Sequence, residues 1–164
     1  MNAVVRTDKM FATDNRAGLV SVRYQPGDVM TEIENGNVVK LGALEDGSRE
    51  IYKGETPSAS DEIKDIVLIA SPEVMYDEHK HNLDEFKNAA GDIARGYYLH
   101  TNDIFSVTKE ALIGEASPAI GNVVELAADT KLNVVASAGS NTVIGKIIAV
   151  DVVGRYTYYV IQVA

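Results

Sequence analysis

Gly36-Asn37-Val38-Val39-Lys40-Leu41-Gly42 and Gly121-Asn122-Val123-Val124-Glu125-Leu126-Ala127 are near-copies, and their reading decides the fold. In each, Gly-Asn is turn chemistry, and the valines that follow suit a pleated, half-buried strand. Polar, turn-rich sequence comes next, and then an aliphatic run: Ile66-Val67-Leu68-Ile69-Ala70 in the first half and Lys146-Ile147-Ile148-Ala149-Val150 in the second. The pattern reads as a diverged duplication of a β-unit, two copies making one closed or sandwiched sheet. The competing reading is chance recurrence of good turn-then-strand chemistry. The expected fold is mainly β: a β-barrel or β-tulip-like single domain with a pseudo-repeat and one short α-helix at about 83–91.

Working outward, Leu19–Tyr24 alternates and ends at the Pro26-Gly27 turn. Asn35-Gly36 is a type I′ signal that predicts a hairpin between Val29–Ile33 and Val38–Leu41. Arg49–Lys53 reads as a short edge strand, and the unbroken Ile66–Ala70 as a central strand covered on both faces. Asn82 with Glu85 has capping-box spacing, and Leu83, Phe86, Ala90 and Ile93 then fall on one helical face. The carboxyl end is the strongest β signal: Ile144–Val153 and Tyr156–Val163, joined by a type II′ turn at Gly154-Arg155. Residues 18–164 therefore form the expected barrel domain, with the helix inserted at about 77–95.

Residues 1–17 show no sustained period and are expected to be a flexible amino-terminal arm. Its functional reading is an arm that orders against a partner, with Met10 and Phe11 as anchors and Arg6, Lys9 and Arg16 as charge contacts. The chain has no cysteine, which excludes disulfides, thiolate metal sites and thiol nucleophiles. No apolar leader opens it, and its longest apolar stretches are strand-sized, so neither a signal peptide nor a transmembrane helix is expected.

The net charge of −9 is concentrated. Residues 26–92 carry six basic and sixteen acidic side chains, whereas residues 93–164 carry five and six, and residues 1–25 carry four and two. A duplex binder needs a basic face to displace counterions, and none exists here, so nucleic acid is excluded as a partner. The acidic middle reads as a solvated surface.

The constellations that carry chemistry are sparse. His79-Lys80-His81, flanked by Asp77, Glu78, Asp84 and Glu85, offers donors for a metal, but the helical His-Glu-x-x-His spacing is absent and a solvated turn is expected. His100 before Asp103 has the residue types of a general base with its orienting carboxylate, yet no serine elbow accompanies it. The glycines form neither a dinucleotide fingerprint nor a phosphate loop. The expectation is a protein that is not an enzyme and has no metal or cofactor.

The GNVVKLG strand entry, Asp65–Val74 (DIVLIASPEV), Ala94–Thr108 (ARGYYLHTNDIFSVT) and Ile144–Val163 (IGKIIAVDVVGRYTYYVIQV) together resemble a group of small tailed-bacteriophage proteins, the head decoration or cement proteins. The likeness covers about residues 30–164 and rests on the general look of those segments. It implies a β-barrel or β-tulip-like module, made in the host cytoplasm, that binds the exterior of an icosahedral head and stabilises it. The implied partner is the major capsid protein, with self-association as trimer or dimer on the lattice and no membrane contact. The alternatives are another virion component, of tail or head–tail junction, and a β-barrel that binds a small ligand or carbohydrate in its mouth.

Overall fold

Strand pairing arranges this sequence as two curled sheets, side by side and sharing a core. The computed structural model describes residues 1–6 and 18–164. In the first half, β1 (Leu19–Tyr24), β2 (Val38–Leu44), β3 (Ile51–Glu55), β4 (Ile66–Ile69) and β5 (Ala94–Tyr98) close into a barrel in the order β1-β3-β2-β4-β5. In the second, β6 (Ile104–Thr108), β7 (Leu112–Gly114), β8 (Val123–Ala127), β9 (Asp129–Val135), β10 (Val143–Val153) and β11 (Tyr156–Val163) form a sheet in the order β6-β11-β10-β8-β9-β7. The fold is mainly β, and the described residues contain no long helix.

The two halves repeat one topology. β1 pairs antiparallel with β5 through its first residues and parallel with β3 through its last. In the second half β6 pairs antiparallel with β11, and β7 pairs parallel with β9. A single 3₁₀ turn, Lys109–Ala111, joins β6 to β7, so these two strands together stand where β1 stands, broken at a kink. The order β1-β3-β2-β4-β5 thus maps onto (β6/β7)-β9-β8-β10-β11.

Backbone hydrogen bonds give the correspondence residue by residue. The Gly36 N–H donates to the Ile69 carbonyl at 2.8 Å, and the Ile69 N–H returns to the Asn37 carbonyl at 2.8 Å. Gly121 and Asn122 make the same pair of bonds with Ile147, at 2.8 and 2.9 Å. The Tyr98 N–H to Gly18 carbonyl bond of 3.0 Å is matched by Val163 to Asp103 at 2.9 Å. The aliphatic runs therefore correspond as Val67-Leu68-Ile69 with Gly145-Lys146-Ile147, a register shifted from the one expected by run composition. Beyond this matched stretch the β10–β8 register is broken by a bulge between Val143 and Gly145. The same alignment pairs Leu19-Val20-Ser21-Val22 with Ile104-Phe105-Ser106-Val107, a similarity too short to be noticed in the sequence.

β4 is buried on both faces, as its continuous aliphatic run predicts. Val67 and Ile69 fill the first barrel with Val22, Val39 and Ala94. Ile66 and Leu68 point the other way, into the core shared with Phe105, Val107, Leu126, Leu132, Ile147 and Ile161. Lys146, which corresponds to Leu68, is exposed, because among the described residues nothing equivalent to a second half covers that side of β10. The first glycine-asparagine turn is wedged into the junction. A Cβ on Gly36, at φ +85°, would lie 3.2 Å from the Ala111 Cβ, whereas the matching position on Gly121 meets open space.

Four expectations are corrected. The helix at about 83–91, and with it the helical insertion at 77–95, is reduced to the single 3₁₀ turn Leu83–Glu85. The capping box of Asn82 and Glu85 is present, but Phe86 is already extended and Asn88 bridges to Ile33 instead. A run this short is marginal as a helix, and tertiary pairing wins. Asn35-Gly36 makes no hairpin: Asn35 has no positive φ, and its buried amide instead ties to Ser71, donating to its carbonyl at 2.8 Å and accepting its N–H at 2.9 Å. β3 is not an edge strand but lies between β1 and β2. Residues 1–6, finally, are not a flexible arm.

That last point concerns Ala3, Val4 and Val5, which are fully buried. Val5 bridges antiparallel to Val107, the Thr108 N–H donates to the Val4 carbonyl at 3.0 Å, and the Arg6 N–H donates to the Ser106 carbonyl at 3.0 Å. The amino-terminal segment thus lies along the outer edge of β6, joined to it by a single antiparallel bridge. Alternation is hard to see in so short a stretch, and the apolar Ala3-Val4-Val5 is the one signal that marks it.

Candidate docking surface

The residues expected to contact a partner divide in two. Arg6 lies beside the β6 edge with its guanidinium 5.5 Å from the centre of the Tyr158 ring, in cation–π range. Lys9, Met10, Phe11 and Arg16 lie outside the described residues.

Arg6 borders a groove of about 490 Å³ with Val5, Leu83, Val153, Arg155 and Tyr156. One wall of that groove is the tip of the β10–β11 hairpin, and the other is the 3₁₀ turn Leu83–Glu85. Asp84 holds them together: its carboxylate accepts a hydrogen bond from the Tyr156 hydroxyl at 2.8 Å and a two-oxygen contact from the Arg155 guanidinium. The Asp84 carbonyl also accepts the Asn2 N–H at 3.1 Å, so three separate segments meet at one residue. Burial by itself raises the Asp84 carboxyl, but the Tyr156 hydroxyl and the Arg155 guanidinium outweigh it and hold the group below its ordinary value of 3.8.

A depressed carboxylate stabilises the fold above its unfolded pKa, and that stability is lost as the pH falls through the folded value. Asp84→Asn keeps the shape and removes the charge. With Arg155 half exposed and its share screened, the variant is expected to lose about 1 kcal/mol near neutral pH. The gap between variant and parent, followed by urea unfolding across pH, should close below pH 3.8. A gap that persists unchanged in acid would show that the charge has no part in it.

The hairpin itself is the largest departure from the repeat. β10 has eleven residues where β4 has four. β8 pairs with β10 only from Val143 to Lys146, and the last bonds on that side are those of Ile147 with Gly121 and Asn122. From Ile148 to Val153 the strand pairs, among the described residues, with β11 alone, and its other ladder edge has no partner among them. Along it Val150, Val152 and Val153 are 37%, 73% and 45% exposed.

The other candidates settle as local structure. His79 and His81 are exposed, their backbone N–H groups capped by Asp77 and Glu85, and no group of metal-ligating side chains gathers among the described residues. Asp103 accepts the His100 backbone N–H at 2.9 Å and lies 3.4 Å from its Nδ1, a strand-end turn. The fifth residue of each repeat stretch ties down a matching loop, β3–β4 in the first half and β9–β10 in the second: Lys40 donates to Asp61 at 2.8 Å, and the buried Glu125 accepts the Gly139 N–H. A second groove of about 760 Å³ runs outside the first barrel past Leu19, Phe86, Ile93 and Arg95. The interior of the first barrel is filled by Val22, Val39, Val67, Ile69 and Ala94.

No protein-family model, curated protein or solved structure matches this chain.

Proposed function

We propose that this chain is a structural virion protein that binds the outer surface of an icosahedral phage head and stabilises its lattice, with the major capsid protein as partner. The observation that supports an interaction role is the β10–β11 hairpin, which carries exposed valines and a free strand edge beyond what its counterpart in the first half needs. Exposed apolar edges favour aggregation and persist where they are used for association. The choice of partner rests on the resemblance of the segments from Gly36 to Val163 to head decoration proteins. A net charge of −9, most of it in residues 26–92, suits an outer surface away from packaged DNA.

Mechanically, a protein that binds only the assembled lattice stabilises it by mass action, and repeated sites add avidity without large individual interfaces. No chemical step is required of it, and no cofactor. The test is to mix the purified chain with phage heads prepared without it, sediment them, and image the product by cryo-electron microscopy. Density on the shell faces and heads that resist heat or chelator better are expected. Density at the portal or tail would move the protein to the alternative virion role, and absence of binding would remove the reading.

A further inference from the structure

We infer that the free edge of β10, Ile148–Val153, is a strand-addition site whose occupant is an extended segment of the partner that places a basic side chain opposite Asp151. This rests on the reading of the chain as a head-binding protein for the partner's identity, but not for the chemistry of the site.

The duplication supplies the first argument. β4 closes its half of the fold with four residues, and every one of them is paired and buried. β10 does the same work with Val143–Ile147 and then continues. The continuation is not needed to close a ring, and it lies in a protein whose other strand edges are largely managed. The first barrel has no edge at all, and the outer edge of β6 is covered by residues 4–6. Natural edge strands are blunted by charges, above all lysine, by proline, by bulges or by extreme shortness. Ile148-Ala149-Val150-Asp151-Val152-Val153 has no lysine or proline; a bulge marks its start, between Ile147 and Ala149, and Asp151 is its single charge, set among exposed valines.

The chemistry of the edge selects the occupant. Side chains alternate across a strand, so Val150 and Val152 share one face while Asp151 and Val153 share the other. Asp151 is exposed and has no ion-pair partner among the described residues. An added strand with β-branched residues over the valines and a cation over Asp151 satisfies both faces, while its backbone satisfies the unpaired amides and carbonyls. A second copy of the chain fits badly. Any antiparallel self-pairing that matches the valine faces also sets two Asp151 carboxylates on one face beside each other, and it joins two molecules each of net charge −9.

The test uses the full chain and two probes. With stripped heads, amide exchange at Ile148–Val153 should slow on binding. Val150→Lys with Val152→Lys should weaken binding at least tenfold while the free protein keeps its unfolding midpoint. Binding of that double variant at parental strength would overturn the inference and leave the head-binding reading intact. The second probe is a nine-residue peptide of alternating threonine and valine with lysine at its centre, set against its glutamate twin. Fluorescence anisotropy should favour the lysine peptide at least tenfold, and Asp151→Lys should reverse that preference. Equal affinity of the two peptides, or a preference that Asp151→Lys does not move, would overturn the inference. If the parent chain ignores heads, it is the head-binding reading that fails, and the peptide pair alone then decides the site.

Discussion

Val5→Asp is expected to destabilise the protein by about 4 kcal/mol, measured by urea unfolding at neutral pH, since a carboxylate would replace a valine at a dry position. Val5 is 2% exposed and faces the shared core with Ala3, Val107 and Phe105. An ionised side chain there has no partner, so the segment must either strand a charge or peel away from β6. Peeling exposes Val4 and Val5 and leaves the Thr108 N–H and the Ser106 carbonyl without their bonds. Both routes are costly. A loss below about 1 kcal/mol would mean that residues 1–6 are only loosely held. The consequence for function is direct: truncation from the amino terminus cannot be used to test for a binding arm, because it removes part of the core. Substitutions at Lys9, Met10, Phe11 and Arg16 are the appropriate probes of that idea.

Gly145→Ala is the second large effect. A Cβ at this position would lie 2.0 Å from the Gln162 carbonyl oxygen and 2.8 Å from its carbon, so β10 and β11 would have to part at the seam of the second sheet. Backbone cannot yield as a flexible side chain does, and the expected cost is about 3 kcal/mol or more. The corresponding residue of the first half, Val67, carries a full side chain into the barrel. In the second half Gly145 stands opposite Val163 in the β10–β11 ladder, and the Gln162 backbone lies directly against its Cα. Gly121→Ala serves as the control. It has a positive φ of +94° but open space around it, so it should cost only about 1 kcal/mol. Equal unfolding midpoints for the two variants would show that close approach is not what requires glycine at position 145.

Much of the architecture was legible before any coordinates. The two GNVV stretches became β2 and β8, each entered through a positive-φ glycine and each paired antiparallel with the strand that carries the following aliphatic run, although β8 meets only the first residue of that run, Lys146. The long carboxyl-terminal hairpin and its Gly154 turn were equally plain, because β-branched and aromatic residues dominate there and glycine stands where φ is +60°. The candidate docking edge was half visible. The sequence announced a two-faced apolar hairpin, but whether its outer edge is paired depends on where the antiparallel β8 begins, and β8 begins at Val123, just after the Gly121-Asn122 turn.

What the sequence determined by itself was local: the β class, the strand entries, the repeat, and the turns that glycine dictates, all of which follow from backbone preference and side-chain alternation. Only the tertiary structure decided three other things. It gave Ala3, Val4 and Val5 a buried place beside β6, reduced the helix near Leu83 to one capped turn by pairing Asn88 with Ile33, and left the outer edge of β10 beyond Ile147 without a partner among the described residues. In each case the outcome turns on a hydrogen-bonding edge supplied or withheld by a distant segment, and no window along the chain contains that information. The duplicated stretches show the same division within one molecule, since Leu68 and Lys146 occupy matching positions and only the presence of the second half makes one a core site and the other a surface.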